Sequence, residues 1–163
     1  MLEELFERLF EFGYLGIFLI TFIGNATIIF PLPAAGIVFA AGAFLNPLFV
    51  GLIAGFGASL GEFVGYGLGY GGGKLGERKY DDRYKKKIER TKKLFDKYGG
   101  FWVLLVFAAS PLPDDIAGIA GGILKYEIKK FFIAILIGKI IFNLFLAYGG
   151  YYGANWVLEY AIF

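Results

Sequence analysis

The stretch Pro31-Leu32-Pro33, followed by Ala40-Ala41-Gly42, decides the fold. It returns later in the chain, with the same spacing, as Pro111-Leu112-Pro113 followed by Ala120-Gly121-Gly122. An apolar run precedes each copy, and a longer apolar run follows it. Recurrence at fixed spacing is the mark of an internal repeat. We therefore interpret the chain as one duplicated unit.

Both proline tripeptides are expected to interrupt helices. Proline lacks a backbone N–H and disfavours the α conformation of the residue before it. The arm before the second tripeptide, residues 101–110, would make about 15 Å of helix, half of a roughly 30 Å hydrocarbon core. The arms after the tripeptides, 34–44 and 114–124, are equally short. Each pair of arms predicts a re-entrant hairpin, with its tip at 31–33 or 111–113.

Composition and charge indicate a membrane protein. The 163-residue chain is 58% hydrophobic, whereas soluble proteins average about 45–50%. Charged side chains are absent from three long intervals, 12–61, 98–113 and 140–158. Because a spanning helix needs about 20 apolar residues, we predict spanning helices over 47–70 and 128–150.

A hairpin returns to its own side while the helix after it crosses, so the two repeats start on opposite sides of the membrane. The predicted fold is an all-α integral membrane protein with an inverted repeat, repeat one over 13–73 and repeat two over 98–150. Residues 74–97 form a charged helical connector, and 151–163 a C-terminal segment. Residues 1–12 carry apolar side chains at helical spacing and predict an amphipathic interfacial helix. Broken-helix transporters of this architecture place their sites near the midplane.

Positive charge is concentrated in the connector, where residues 74–97 hold eleven basic and five acidic side chains. The predicted topology puts residues 125–130 on the same side. Fourteen of the sixteen basic residues then share one face, which the positive-inside rule makes cytoplasmic. The expected location is the cell membrane, with several spans. The connector either attracts anionic lipid headgroups or is a solvated link.

Glycine recurs at every fourth position along the first spanning helix, at Gly57, Gly61, Gly65, Gly69 and Gly73. In lipid, such a stripe lets another backbone approach closely. We expect this face to pack against a hairpin, with permeation along the stripe as the alternative.

Four ionisable side chains at membrane depth are candidate site residues. Glu62 lies next to the glycine stripe, with Tyr66 one turn later. A charged carboxyl group inside a membrane costs about 2.5 kcal/mol or more, so it is expected to be functional, paired or protonated. Lys139 lies too deep in the last helix to reach the interface easily, so it needs an acidic partner among Glu62, Asp114 and Asp115.

Asp114 and Asp115 directly follow the second tip. One acidic residue there would cap the next helix. Two adjacent carboxyl groups repel each other when both are charged, so one is expected to hold an exchangeable proton. Asn25 and Asn143 are further polar side chains at depth, available to the site or to hydrogen bonds between helices.

Cysteine and histidine are absent, which removes disulfides, thiol chemistry and imidazole metal sites. No nucleophile arrangement surrounds Ser59 or Ser110, so an enzyme is the least favoured class. We expect no cofactor, no bound metal and no nucleic-acid partner. Membrane lipids are the expected partners, with protons or a cation as coupling ion, and a homo-oligomer is compatible with the sequence.

Over residues 13–153 the sequence resembles the DedA family, also called the SNARE-associated Golgi or VTT-domain family. Asn25 with Pro31-Leu32-Pro33 resembles the family's first hairpin, and residues 107–121 resemble its second. The run Gly57-Ala58-x-x-Gly61-Glu62-x-x-x-Tyr66-x-x-Gly69 is similar to the family signature, with Glu62 at the acidic position. Residues 148–153 resemble the closing Gly-Tyr segment.

The resemblance implies a membrane transporter or scramblase of lipids, either phospholipids or polyprenyl-phosphate carriers, with proton coupling in bacterial members. The sequence departs from the family pattern at charged positions. Ala35 stands where members usually carry a glutamate, and Ala108, Asp114 and Tyr70 stand where arginines are common. Because arginine is a natural ligand of phosphate, these departures weaken the expectation of a phosphate carrier in particular.

The leading hypothesis is a lipid translocator with a midplane site between the two hairpin tips. Glu62, Asp114 and Asp115 would exchange protons, and Lys139 would act as counter-ion or headgroup contact. One alternative is a small-cation transporter in which the same carboxylates are oxygen ligands. Another is a membrane scaffold that recruits lipid or protein through the basic connector.

Overall fold

The structure is a computed structural model that describes residues 12–27, 34–72, 82–111 and 115–160. Short turns aside, these residues are helical, with no strand among them. The helices in the described part of the chain are α1 (Tyr14–Ala26), α2 (Ala34–Phe44), α3 (Pro47–Gly72), α4 (Asp82–Tyr98), α5 (Gly100–Ala108), α6 (Asp115–Ile123) and α7 (Ile128–Tyr160). The predicted all-helical class is confirmed.

Several predicted features lie outside the described residues. These are nearly all of the amphipathic helix at 1–12, the tip residues Pro31, Pro33 and Pro113, Asp114 and the side chain of Asp115, Gly73, and the first part of the connector, 74–81. Pro111 is described and exposed just beyond the end of α5. The connector continues as α4.

Two helices, α3 and α7, are long and apolar enough to cross a membrane. Helix α3 has 26 residues and α7 has 33, so both exceed the roughly 20 that a span requires. Helix α7 runs through residues 151–160 because no proline interrupts it there. The C-terminal segment thus prolongs the last helix.

The two long helices lie antiparallel. A Cβ added to Gly51 of α3 would collide with Leu144 of α7, and one added to Gly55 would collide with Ile140. Further along α3, the ring of Phe63 lies 5.8 Å from that of Phe131. The missing side chains on α3 are what allow this close approach.

The short helices divide the length of α3 between them. Helix α1 runs parallel to the first half of α3: the rings of Tyr14 and Phe49 lie 6.1 Å apart, and α1 ends beside Gly61. Helix α6 lies against the second half, where an added Cβ on Gly69 would meet the carbonyl oxygen of Ile119. One half of the chain thus supplies α1, and the other half supplies α6.

Helix α7 is divided in the same way. Helix α5 covers its first half, where Gly138 contacts Ala108 at the end of α5. Helix α2 covers its second half, where Gly150 contacts Phe39. Each long helix therefore packs against the first short helix of its own half and the second short helix of the other half.

The core consists of two apolar clusters at opposite ends of the helix pair. One is built around Leu104, Phe131 and Ile135, all fully buried. The other is built around Val38 and Val50, also fully buried. Polar side chains that lie buried between these clusters are therefore enclosed at both ends.

Helix ends follow local chemistry. The Asn46 side chain accepts a hydrogen bond from the Leu48 amide at 3.0 Å, which caps the start of α3. Gly99 has φ +85°, a conformation that glycine adopts at low cost, and it makes the turn between α4 and α5. Lys125 takes the left-handed position after α6, where the Tyr126 amide bonds back to the Gly121 carbonyl.

Candidate functional site

A buried ion pair joins the two long helices. The Nζ atom of Lys139 lies 3.5 Å from Oε2 of Glu62, and the exposed fractions of the two side chains are 6% and 1%. Glu62 lies about 22 Å along α3 from its first residue, at 1.5 Å per residue. Glu62 is one of the three carboxyl groups that the sequence offered to Lys139, and the carboxyl groups of the other two, Asp114 and Asp115, lie outside what the structure describes. Removing either partner would leave a charge buried between the helices.

Asn25 completes the polar cluster from a third helix. Lys139 Nζ donates a hydrogen bond of 2.5 Å to Oδ1 of Asn25, and the amide nitrogen of Asn25 donates to the carbonyl oxygen of Thr21 at 2.8 Å. The Thr21 carbonyl therefore fixes which end of the Asn25 amide faces the lysine. Asn25 lies in the last turn of α1, just before the first proline tip.

Asn143 acts on the backbone of α7 rather than on the ion pair. Its amide nitrogen donates a 2.8 Å hydrogen bond to the carbonyl oxygen of Lys139, one turn earlier, and the side chain is buried. This bond satisfies a polar side chain inside the helix bundle. The structure thus gives Asn143 a supporting position beside Lys139.

A fourth helix, α6, reaches the cluster through Gly118, which lies against the carboxyl group of Glu62. A Cβ built at Gly118 would collide with Oε1 of Glu62. Because α6 begins at Asp115, the contact falls in its first turn, directly after the second tip. The cluster of Asn25, Glu62 and Lys139, called the ion-pair cluster below, therefore lies where α1, α3, α6 and α7 meet.

The structure places Tyr66 outside the ion-pair cluster. Its hydroxyl donates a 2.7 Å hydrogen bond to the carbonyl oxygen of Tyr126, and its ring lies 4.7 Å from that of Phe131. It therefore joins α3 to the turn before α7. Asp115 is the first residue of α6, and the structure describes its backbone.

Two glycines of the α3 stripe, Gly57 and Gly61, lie against the short helix α1. A Cβ on Gly57 would meet Thr21 and Phe18, and one on Gly61 would meet Phe22 and Asn25. Gly65 is buried on the same face. The stripe brings α1 close enough for Asn25 to reach Lys139, so it positions the ion-pair cluster.

Two residues near the cluster were not singled out from the sequence. Thr21 is buried, and its hydroxyl donates to the carbonyl oxygen of Ile17. Its spacing of four from Asn25 was the available signal. Gly118 was signalled by its spacing of four from Gly122, since both are small residues on one helix face that packs closely on α3.

The chemistry of the cluster is that of a neutral pair with one cation and one anion. Taking up a proton would neutralise Glu62 and remove its attraction for the ammonium group of Lys139, which keeps its positive charge. That charge, with the Asn25 amide, could then contact an anionic group. Among the described residues, no three metal-ligating side chains lie together.

Comparison with known proteins gives one match. A family model, the VTT domain, matches residues 30–152, which is well over half of the chain. No curated protein and no solved structure matches. The matched range contains Glu62, Lys139, Gly118 and both proline tripeptides.

Proposed function

This chain belongs to the VTT-domain family, the DedA/SNARE-associated Golgi family of membrane-associated proteins, and from that premise we propose that it moves lipids between the leaflets of a membrane. The proposed site is the ion-pair cluster. The proposed substrates are phospholipids or polyprenyl-phosphate carriers.

The observation that carries the proposal is the buried Glu62–Lys139 pair, 3.5 Å apart, between the only two described helices that are long enough to span. Charged side chains at that depth are costly, and they mark substrate or proton pathways in membrane proteins. A purely structural role would be served as well by apolar residues, since buried ion pairs add little net stability.

The packing of the short helices supports the architecture that such a site needs. Helix α1 ends beside Gly61, near the middle of α3, and α5 ends beside Gly138, about a third of the way along α7. Each long helix also packs against the first short helix of its own half and the second short helix of the other half. We infer two re-entrant hairpins that enter from opposite sides, related as an inverted repeat, with their tips near the ion-pair cluster.

The same geometry supports proton coupling. When Glu62 takes up a proton, its attraction to Lys139 is lost, and the lysine can contact a phosphate oxygen of the lipid. When the phosphate leaves, Glu62 releases its proton to water on the opposite side of the membrane, and the resulting carboxylate re-forms the pair with Lys139. In this account Glu62 exchanges the proton, Lys139 contacts the headgroup and Asn25 orients the lysine.

A small-cation transporter is less well supported. A cation bound by Glu62 would have to displace the ammonium group of Lys139, which already lies 3.5 Å from the carboxylate. A hard cation also prefers six or more oxygen ligands. Near Glu62 the structure describes the Asn25 amide oxygen, which already accepts from Lys139. The tip carboxyl groups of Asp114 and Asp115, which this alternative also uses, lie outside what the structure describes.

The test is lipid movement in vesicles that contain the purified protein. A fluorescent phospholipid in the inner leaflet is protected from an added reductant unless the protein brings it outward. We expect faster loss of fluorescence than in protein-free vesicles, and a rate that changes when a pH gradient is imposed. Protein that moves neither this phospholipid nor a polyprenyl phosphate, with or without the gradient, would refute the proposal.

A matched pair of variants isolates the site. Glu62→Gln removes the buried carboxylate, whereas Glu127→Gln removes a carboxylate whose pair with Lys130 is 2.7 Å long and more than half exposed. We expect the first variant to lose the response to the pH gradient and the second to keep it. Equal responses in the two variants would contradict a role for Glu62 in coupling.

A further inference from the structure

Helices α4 and α5 leave an apolar groove between them, away from the ion-pair cluster. Its cavity volume is about 270 Å³, and it is lined by Leu94, Tyr98, Trp102, Val103, Val106 and Phe107. Pockets for drug-sized ligands measure about 300–1,000 Å³. The groove therefore has room for a segment of one acyl chain.

The groove opens outward from the protein. Tyr98, Trp102 and Val106 are more than half exposed, whereas Phe95 on the neighbouring face of α4 is buried against the ring of Tyr126. The turn at Gly99 brings the two helices together at one end of the groove. Tryptophan and tyrosine favour the boundary between membrane and water, which places the groove at that boundary.

Charge on α4 is divided between two sides of the helix. Successive residues of a helix are about 100° apart around its axis. The direction of each side chain can therefore be compared with that of Leu94 and Tyr98, which line the groove. Over residues 85–98, every charged residue within about 120° of the mean direction of Leu94 and Tyr98 is basic. These residues, called the basic stripe below, are Lys86, Lys87, Arg90, Lys93 and Lys97. Both acidic residues of this stretch, Glu89 and Asp96, lie on the far side with Lys85 and Lys92.

The basic stripe reaches the mouth of the groove. The Nζ atom of Lys97 lies 4.9 Å from the centre of the Tyr98 ring, and Tyr98 lines the groove. Lys93 is one turn away on the same side and is exposed. Two ammonium groups are therefore available within one helical turn of an apolar slot.

We propose that this groove binds one anionic phospholipid, with an acyl chain along Trp102 and Val106 and the headgroup phosphate on Lys93 and Lys97. Charge complementarity selects this occupant. A zwitterionic lipid would bring its own cation to the basic stripe, and a wholly apolar molecule would leave the stripe unused. The site is distinct from the proposed translocation site, so binding can be measured without transport.

The experiment is native mass spectrometry of the full-length protein in detergent, titrated with phosphatidylglycerol or with phosphatidylcholine of the same chains. We expect tighter binding of phosphatidylglycerol, at a stoichiometry of one tight site. A basic residue near an anionic surface contributes about a fivefold change in affinity. The double variant Lys93→Gln/Lys97→Gln should therefore bind phosphatidylglycerol roughly 25-fold more weakly.

The control variant Lys85→Gln/Lys92→Gln removes the same charge from the far side of α4. We expect it to bind nearly as tightly as the unmodified protein. Equal losses in the two double variants would mean general attraction to a polybasic helix and would overturn the proposal. So would equal binding of the two lipids, or no binding of either.

A second pair of variants tests the groove itself. Val106→Trp fills the slot without changing charge, and Ile133→Trp places the same bulk on an equally exposed apolar surface of α7. We expect Val106→Trp to lose the tight site and Ile133→Trp to keep it. Unchanged binding by Val106→Trp would exclude the groove as the acyl-chain site.

Discussion

Helices α3 and α7 are both long enough to span a membrane, yet they meet the rest of the protein differently. In the most apolar 18-residue window of each helix, 56% of α3 is buried but 39% of α7. Helix α3 contacts α1, α6 and α7 through glycines. Helix α7 keeps an exposed apolar row, at Ile133, Ile137, Ile141 and Phe145. The carboxylate of the site therefore lies on the more buried of the two long helices, and the lysine on the less buried one.

This difference suggests how the site works. A short glutamate on a tightly packed helix has little freedom, whereas a long lysine on the neighbouring helix can change its contacts by rotating its side chain. Helix α3 would hold the fixed charge and α7 the adjustable one. The predictions below test that division, beginning with the largest effect.

Breaking the ion pair should cost the most. Lys139→Met leaves Glu62 buried without its cation, and removing one partner of a buried pair typically costs about 3–5 kcal/mol. The unfolding free energy in mixed micelles measures this loss. Because protonation would neutralise Glu62, we expect the loss to shrink as the pH is lowered.

Two control variants show whether that loss of stability comes from the buried charge. The double variant Glu62→Gln/Lys139→Met removes both buried charges found among the described residues and should recover most of the stability. Lys130→Met breaks the exposed pair with Glu127 and should cost less than about 1 kcal/mol. If the buried and exposed variants lose the same amount, the pair is not enclosed in the way described.

Adding one methyl group to α3 should have opposite effects at two glycines. Gly69→Ala would push against the carbonyl oxygen of Ile119, and overpacking of this kind costs about 1–3 kcal/mol. Nothing lies within 4 Å of an added Cβ at Gly67, so Gly67→Ala should gain about 0.5–1 kcal/mol from helix propensity. The same micelle assay measures both. A gain at Gly69 would contradict the close contact of α3 with α6.

The smallest effect concerns the hydrogen bond between α3 and the start of α7. Tyr66→Phe removes the hydroxyl that donates to the Tyr126 carbonyl at 2.7 Å, and such bonds contribute about 0.5–1.5 kcal/mol. We expect a loss in that range with lipid movement retained, because Tyr66 lies outside the ion-pair cluster. Loss of lipid movement with unchanged stability would place Tyr66 in the site instead.

Much of the local structure was predictable because proline, glycine and apolar runs act over short distances. Helix α2 spans the predicted arm at 34–44, and α3 begins at Pro47 as its Asn46-Pro47 start indicates. The end of α7 was harder, since residues 151–160 lack any strong stop signal. The family resemblance was confirmed by the domain match over 30–152.

The contacts of the site were less predictable because they depend on how helices align with one another. The sequence offered Lys139 three carboxyl groups and gave no means to choose among them. Asn25 is 114 residues away from Lys139, and its contact depends on α1 lying parallel to α3 and ending beside Gly61. That alignment is decided by glycine packing along the whole interface.

The central claim is that the Glu62–Lys139 pair serves lipid movement and not stability alone. The most direct test is the rate of phospholipid movement in vesicles for the double variant Glu62→Gln/Lys139→Met, after its folding has been verified. We predict a folded protein whose rate falls to that of protein-free vesicles. A folded double variant that moves lipid as fast as the unmodified protein would contradict the claim.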